Sequence, residues 1–123
     1  MTTCYDDALD GANEIAGLCA ILKFPVMELR RYYKNEFALY CSNVCAFMTL
    51  KEMVANATSR RDQVELIAIA CRSLLPLIDS AMELYAKTHG ASGLWSDLIL
   101  DTLKDIRAEV ERVKPLTETF LCK

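Results

Sequence analysis

The stretch Val64-Glu65-Leu66-Ile67-Ala68-Ile69-Ala70-Cys71-Arg72-Ser73-Leu74-Leu75-Pro76-Leu77-Ile78-Asp79-Ser80-Ala81-Met82-Glu83-Leu84-Tyr85 decides the fold. Its residues Val64, Ile67, Cys71, Leu74, Ile78, Ala81 and Tyr85 recur at alternating steps of three and four, an unbroken heptad seam on one face of an α-helix. A second apolar set, Leu66, Ile69, Ala70, Leu77 and Leu84, lies beside and behind the seam. A helix apolar over so much of its circumference is usually covered on several sides. Pro76 removes the hydrogen bond to the carbonyl of Arg72 and predicts a kink; a break into two helices is the alternative. Ser59, with Asp62 three residues later, suits the start of this helix, and Gly90 suits a left-handed cap at its end.

The same periodicity extends to both sides. A first helix is predicted from Cys4 to about Leu22, capped by Thr3 with Asp6 three residues on. Its stripe, Ala8, Ala12, Ile15, Cys19 and Leu22, is mostly small, so neighbours can approach closely. Phe24-Pro25 reads as a break, with Pro25 in the first turn of a second helix that runs to about Ala57. The stripe of that helix is Val26, Leu29, Tyr33, Phe37, Tyr40, Val44, Phe47, Leu50 and Val54, rich in aromatic bulk. The fourth helix follows His89-Gly90-Ala91-Ser92-Gly93, with Ser92 or Ser96 as its cap. Its stripe is Ile99, Leu103, Ile106, Val110, Val113, Leu116 and Phe120, and Pro115 should bend or end it near the last turn. The last three helices reach ~45 Å each at 1.5 Å per residue. Short links favour antiparallel neighbours. The expectation is therefore an all-α fold, a long antiparallel up-down-up-down four-helix bundle, with residues 1–123 as a single domain.

Composition bounds the function. Hydrophobic residues make up 53% of the 123 residues without counting glycine, against ~45–50% with glycine in typical domains. Some of that apolar surface should face a partner. The net charge of −3 predicts no nucleic-acid partner. Residues 1–22 carry Asp6, Asp7, Asp10 and Glu14 and no basic residue, whereas residues 23–61 are mainly basic. An acidic first helix beside a basic second one is the simplest reading of that split. No apolar run reaches the ~18 residues of a membrane span, and no basic leader precedes an apolar core at the N-terminus. The chain reads as cytoplasmic, with its cysteines mostly reduced.

Chemistry-bearing sets are sparse. His89 is the only histidine, so histidine-rich metal sites are out and a haem ligand is weakly supported. It suits a helix C-terminus, where the dipole favours its charged form. Cys41 and Cys45 lie one turn apart and could join Cys71 as thiolate ligands, but a fourth ligand is missing; small apolar core residues are the better reading. Cys4 and Cys122 fall at the same end of adjacent helices, which leaves open whether they pair. No catalytic residues, cofactor or metal are expected, and the chain reads as a non-enzyme. Glu14, Glu36 and Glu52 fall among apolar residues without a pairing that points to acid–base work.

The expected function is a helical protein–protein interaction or self-associating module with an adaptor or regulatory role. Its partner would be another protein or a second copy in a homodimer. The basic cluster Arg30, Arg31 and Lys34 beside Tyr32, the off-seam Leu66, Leu77 and Leu84, and Trp95 are the candidate contact residues. A second reading is a membrane-acting four-helix domain touching a membrane surface, which the acidic start opposes. A third is a small-ligand pocket with Tyr33, Tyr40 and Arg72 as its polar groups. Arg72 must otherwise pair or reach water.

Overall fold

The computed structural model describes residues 3–32, 36–87 and 94–122, with the side chains of Tyr32, Leu94 and Trp95 excepted. All its regular elements are helical: α1 (Cys4–Tyr32), α2 (Glu36–Cys45), a 3-10 segment (Ala46–Thr49), α3 (Leu50–Asn56), α4 (Arg60–Lys87) and α5 (Leu94–Leu121). Among the described residues there is no strand. The 3-10 segment joins α2 and α3 into one composite arm. The arms form a four-helix bundle in which α1 and α4 each pack against α5 and against the composite arm.

The order is up-down-up-down, as the contacts at the two ends show. At one end the Tyr5 ring of α1 lies 6.0 Å from Phe120 of α5 and under Arg60 of α4 at 4.8 Å. The Tyr5 hydroxyl donates to the Gln63 side chain, whose amide donates to the Val54 carbonyl of α3 at 3.2 Å. At the other end Phe37, in the first turn of α2, lies 5.7 Å from Tyr85 near the end of α4. The Tyr85 hydroxyl there donates to Asp97 of α5 at 3.1 Å.

The predicted seams form the core. Ile15, Leu22, Ile67, Leu74, Ile78, Ile99, Leu103 and Ile106 are among the largest fully buried side chains. The caps at Thr3 and Ser59 are also present: Asp6 N–H donates to Thr3 Oγ1 and Asp62 N–H to Ser59 Oγ, each at 3.1 Å. Each satisfies one orphan amide of a helix start.

Three boundaries differ from the sequence reading. The break at Phe24-Pro25 does not occur: α1 continues through Pro25 to Tyr32. The reason is the stripe itself, since Ile15, Cys19, Leu22, Val26 and Leu29 keep one alternation across the proline and are all buried. Burial of that continuous face outweighs the one backbone bond Pro25 cannot make. The predicted second helix accordingly starts at Glu36 and is interrupted by the 3-10 segment. There Thr49 Oγ1 donates to the Ala46 carbonyl at 3.2 Å, a local bond that competes with the α-helical ladder. Finally, α5 runs through Pro115 to Leu121 and does not end there, whereas α4 is one helix through Pro76 as expected, not the alternative pair of helices. Ser96 does not cap α5, which begins at Leu94 and buries Ser96. The predicted caps Gly90 and Ser92 lie outside the described residues.

Close approach is concentrated between α1 and α5. A Cβ placed on Gly11 would overlap the Val113 side chain, so only glycine lets these helices pack at this separation. Ala8, Ala12 and Ala16 of the same helix are also buried. Arg107 of α5 ties α4 in from outside, with Nε 2.8 Å from Asp79 and NH1 2.7 Å from Glu111.

Candidate functional site

Two grooves flank the 3-10 segment. A 3-10 turn advances the chain faster per residue than an α-helix and rotates the face that follows. No residue of Ala46–Thr49 is fully buried, although Phe47 and Met48 pack partly against the core. On one side, between α1 and the composite arm, a groove of about 360 Å³ is walled by Lys23, Val26, Met27, Arg30, Cys45 and Met48. On the other, between the composite arm and α4, a groove of about 220 Å³ is walled by Phe47, Leu50, Met53, Leu66, Ile69 and Ala70.

The second groove is almost wholly apolar: Thr49 is the only polar residue in its walls. Its rim residues Met53 and Ile69 are 50% and 54% exposed. The first groove is apolar at its floor and basic at its rim, where Arg30 NH1 donates to Ser42 Oγ at 3.3 Å. Ile21, Phe24 and Met27 stand exposed on the same half of α1.

A third cleft, of about 180 Å³, lies between α4 and α5 and is lined by Ala68, Arg72, Lys114, Thr117, Glu118 and Cys122. Arg72 reaches its surface and donates to the Ala68 carbonyl at 3.4 Å. Tyr40 does not line this cleft, and Tyr33 lies outside the described residues.

The candidate contact residues are dispersed. Leu66 lines the α3/α4 groove, whereas Leu77 and Leu84 are half-buried against the core. Arg30 lines the α1 groove, and Arg31 is exposed beside Glu28 at 3.7 Å. Lys34 lies outside the described residues, as do the side chains of Tyr32 and Trp95. The sequence reading did not single out Met53, Phe47 or Ile69 as groove walls. Ile69 and Phe47 were visible as members of apolar sets, but on different helices, and only the packing of the composite arm on α4 brings them to one groove.

The cysteines are all unpaired, including Cys4 and Cys122. Burial pushes the Cys19 and Cys41 thiols up to about 12, and nearby Cys45 adds to the effect. Burial likewise pushes Cys45 and Cys71 up to about 11, with Lys23 and Lys114 respectively pulling the other way. Such thiols are poor nucleophiles at neutral pH. Cys71 sits on the Lys114 and Glu118 side, so it does not join Cys41 and Cys45. Among the described residues no group of three or more His, Cys, Asp or Glu side chains is placed to hold a metal ion. Among them, too, no helix is long and apolar enough to cross a membrane.

No protein-family model, curated protein or solved structure matches the chain.

Proposed function

We propose that the protein is a non-enzymatic interaction module whose α3/α4 groove receives an amphipathic helix from another protein. The observation that carries this reading is the concentration of Phe47, Leu50, Met53, Leu66 and Ile69 around one groove beside the 3-10 segment. An amphipathic helix docks through apolar side chains spaced three and four apart, which a groove between two helices accepts. Methionine at the rim adapts its shape to the guest, and exposed Ile69 gains by being covered. An adaptor or regulatory role suits a module with one such groove. Six unpaired cysteines suit a reducing, cytoplasmic compartment.

Selection of helical peptides from a displayed library against the folded protein tests the proposal. The selected peptides should carry apolar residues at i, i+3, i+4 and i+7. Their binding should fall at least tenfold, about 1.4 kcal/mol or more, in Ile69→Lys and in Met53→Glu. Binders indifferent to both substitutions would refute the groove as the docking site.

A further inference from the structure

The continuity of α1 has a second consequence, on the helix's outward face. From Asn13 an exposed seam runs through Gly17, Ala20, Phe24 and Met27 to Arg31, alternating by four and three. It is a heptad seam like those of the core, but it faces solvent. Phe24 and Met27 are 61% and 53% exposed, with Ile21 beside them at 63%. Gly17 meets nothing: a Cβ added there would have no atom within 4 Å. A glycine in a helix interior costs ~0.8–1 kcal/mol against alanine, and no contact within one chain requires it at Gly17.

Charge divides the same helix. Asp6, Asp10 and Glu14 are exposed on its first half, and Lys23, Arg30 and Arg31 on its second. Asp10 also faces Arg112 of α5.

We infer that a second copy of this chain docks here, α1 against α1 in antiparallel orientation about a two-fold axis near Leu22. This interface is separate from the α3/α4 groove and does not depend on it. In that register Phe24 lies opposite the partner's Ala20, and Met27 opposite the partner's Gly17. Large side chains therefore meet small ones in successive layers, as knobs in holes. Arg31 comes opposite the partner's Asn13, one turn from the partner's Asp10. A parallel pairing would instead set acid on acid and base on base, which costs affinity. The two-fold repeats every contact, so a single seam supplies both halves of the interface. From Asn13 to Arg31 it runs ~27 Å along the helix.

Light scattering on a size-exclusion column, with reductant present, tests this. The wild-type chain should elute at twice its 13.8 kDa. Phe24→Glu/Met27→Glu should elute at the single-chain mass with its helical circular dichroism intact. Should that variant lose its helicity, Ala20→Arg fills the small seat on an exposed position and should likewise give the single-chain mass. Arg31→Glu should weaken association roughly tenfold, the effect of two symmetry-related charge contacts, and adding Asp10→Arg to the same chain should restore it. A wild-type monomer at high micromolar protein, or a dimer that survives both the Glu pair and Ala20→Arg, would overturn the inference. Dissociation by Ile69→Lys instead would move the second copy to the α3/α4 groove and overturn it as well.

Discussion

The α1/α5 contact and the composite arm are built from small and from bulky apolar residues respectively, and they behave in opposite ways. Between α1 and α5, small side chains and Gly11 let two unbroken helices close until Val113 fills the space a Cβ would need. Along the composite arm, the chain changes helix type at Ala46–Thr49, and grooves open on both sides of the change. One region uses its apolar residues to hold the fold. The other leaves part of its apolar surface at the solvent boundary, where a guest can cover it. On the proposed function, stability and recognition fall on different faces of one bundle.

Substitutions should sharpen that contrast. The largest effect belongs to the closed face: Ile106→Ala, at a fully buried site, should cost about 3 kcal/mol in urea unfolding, through lost burial and the cavity left behind. Next comes a paired comparison of one substitution at two glycines. Gly11→Ala should cost about 1–2 kcal/mol, because the stiff Val113 side chain must give way. Gly17→Ala should gain up to about 0.8 kcal/mol at concentrations where chains stay apart, because its Cβ meets open space. Equal effects at the two sites would break the comparison.

The buried thiols predict a pH effect of comparable size. Their folded pKa values, about 11 to 12, lie above the ordinary 9.0. The folded state therefore holds protons that the unfolded chain releases. The stabilisation is complete below pH 9 and is lost as pH rises toward the folded values, by up to about 1.4 kcal/mol per pH unit per thiol. Melting temperature should fall steeply above pH 9, and Cys19→Ala should make that fall shallower. The smallest effects belong to the open face. Ile69→Lys and Met53→Glu should each change unfolding free energy by no more than about 0.5 kcal/mol, because both side chains are already half in water.

Much of the bundle was legible in the sequence. Four stripes at steps of three and four gave the helices and most of the buried residues, though not Ala16, Ala38, Cys41, Cys45, Ala68 or Ala70, and Thr3 and Ser59 gave two of the starts. Pro25 was misread because a local rule was set above a longer pattern: the stripe from Ile15 to Leu29 passes through it without a shift. That error also split the acid and base of α1 between two imagined helices and hid the polarity of one real helix. The 3-10 segment gave no comparable signal, since the apolar stripe Val44, Phe47, Leu50 and Val54 crosses it at steps of three and four. The α3/α4 groove depends on the packing of the composite arm on α4, so Leu66 and Ile69 could be recognised as off-seam but not as walls of a common site. Gly11 and Gly17 show the same boundary in another form. Both are glycines on the first helix, and only the packing of α5 distinguishes the one that is essential.

On the proposed function, the α3/α4 groove is the surface on which another protein docks. Its most direct test is a photo-crosslinking amino acid placed at Ile69 in cells that make the protein, with the same group at exposed Lys104 of α5 as the reference. Crosslinking from position 69 to a discrete protein, absent from position 104 and lost when Met53→Glu is added, is the predicted result. The same products from both positions, or products from 69 that persist with Met53→Glu, would contradict it.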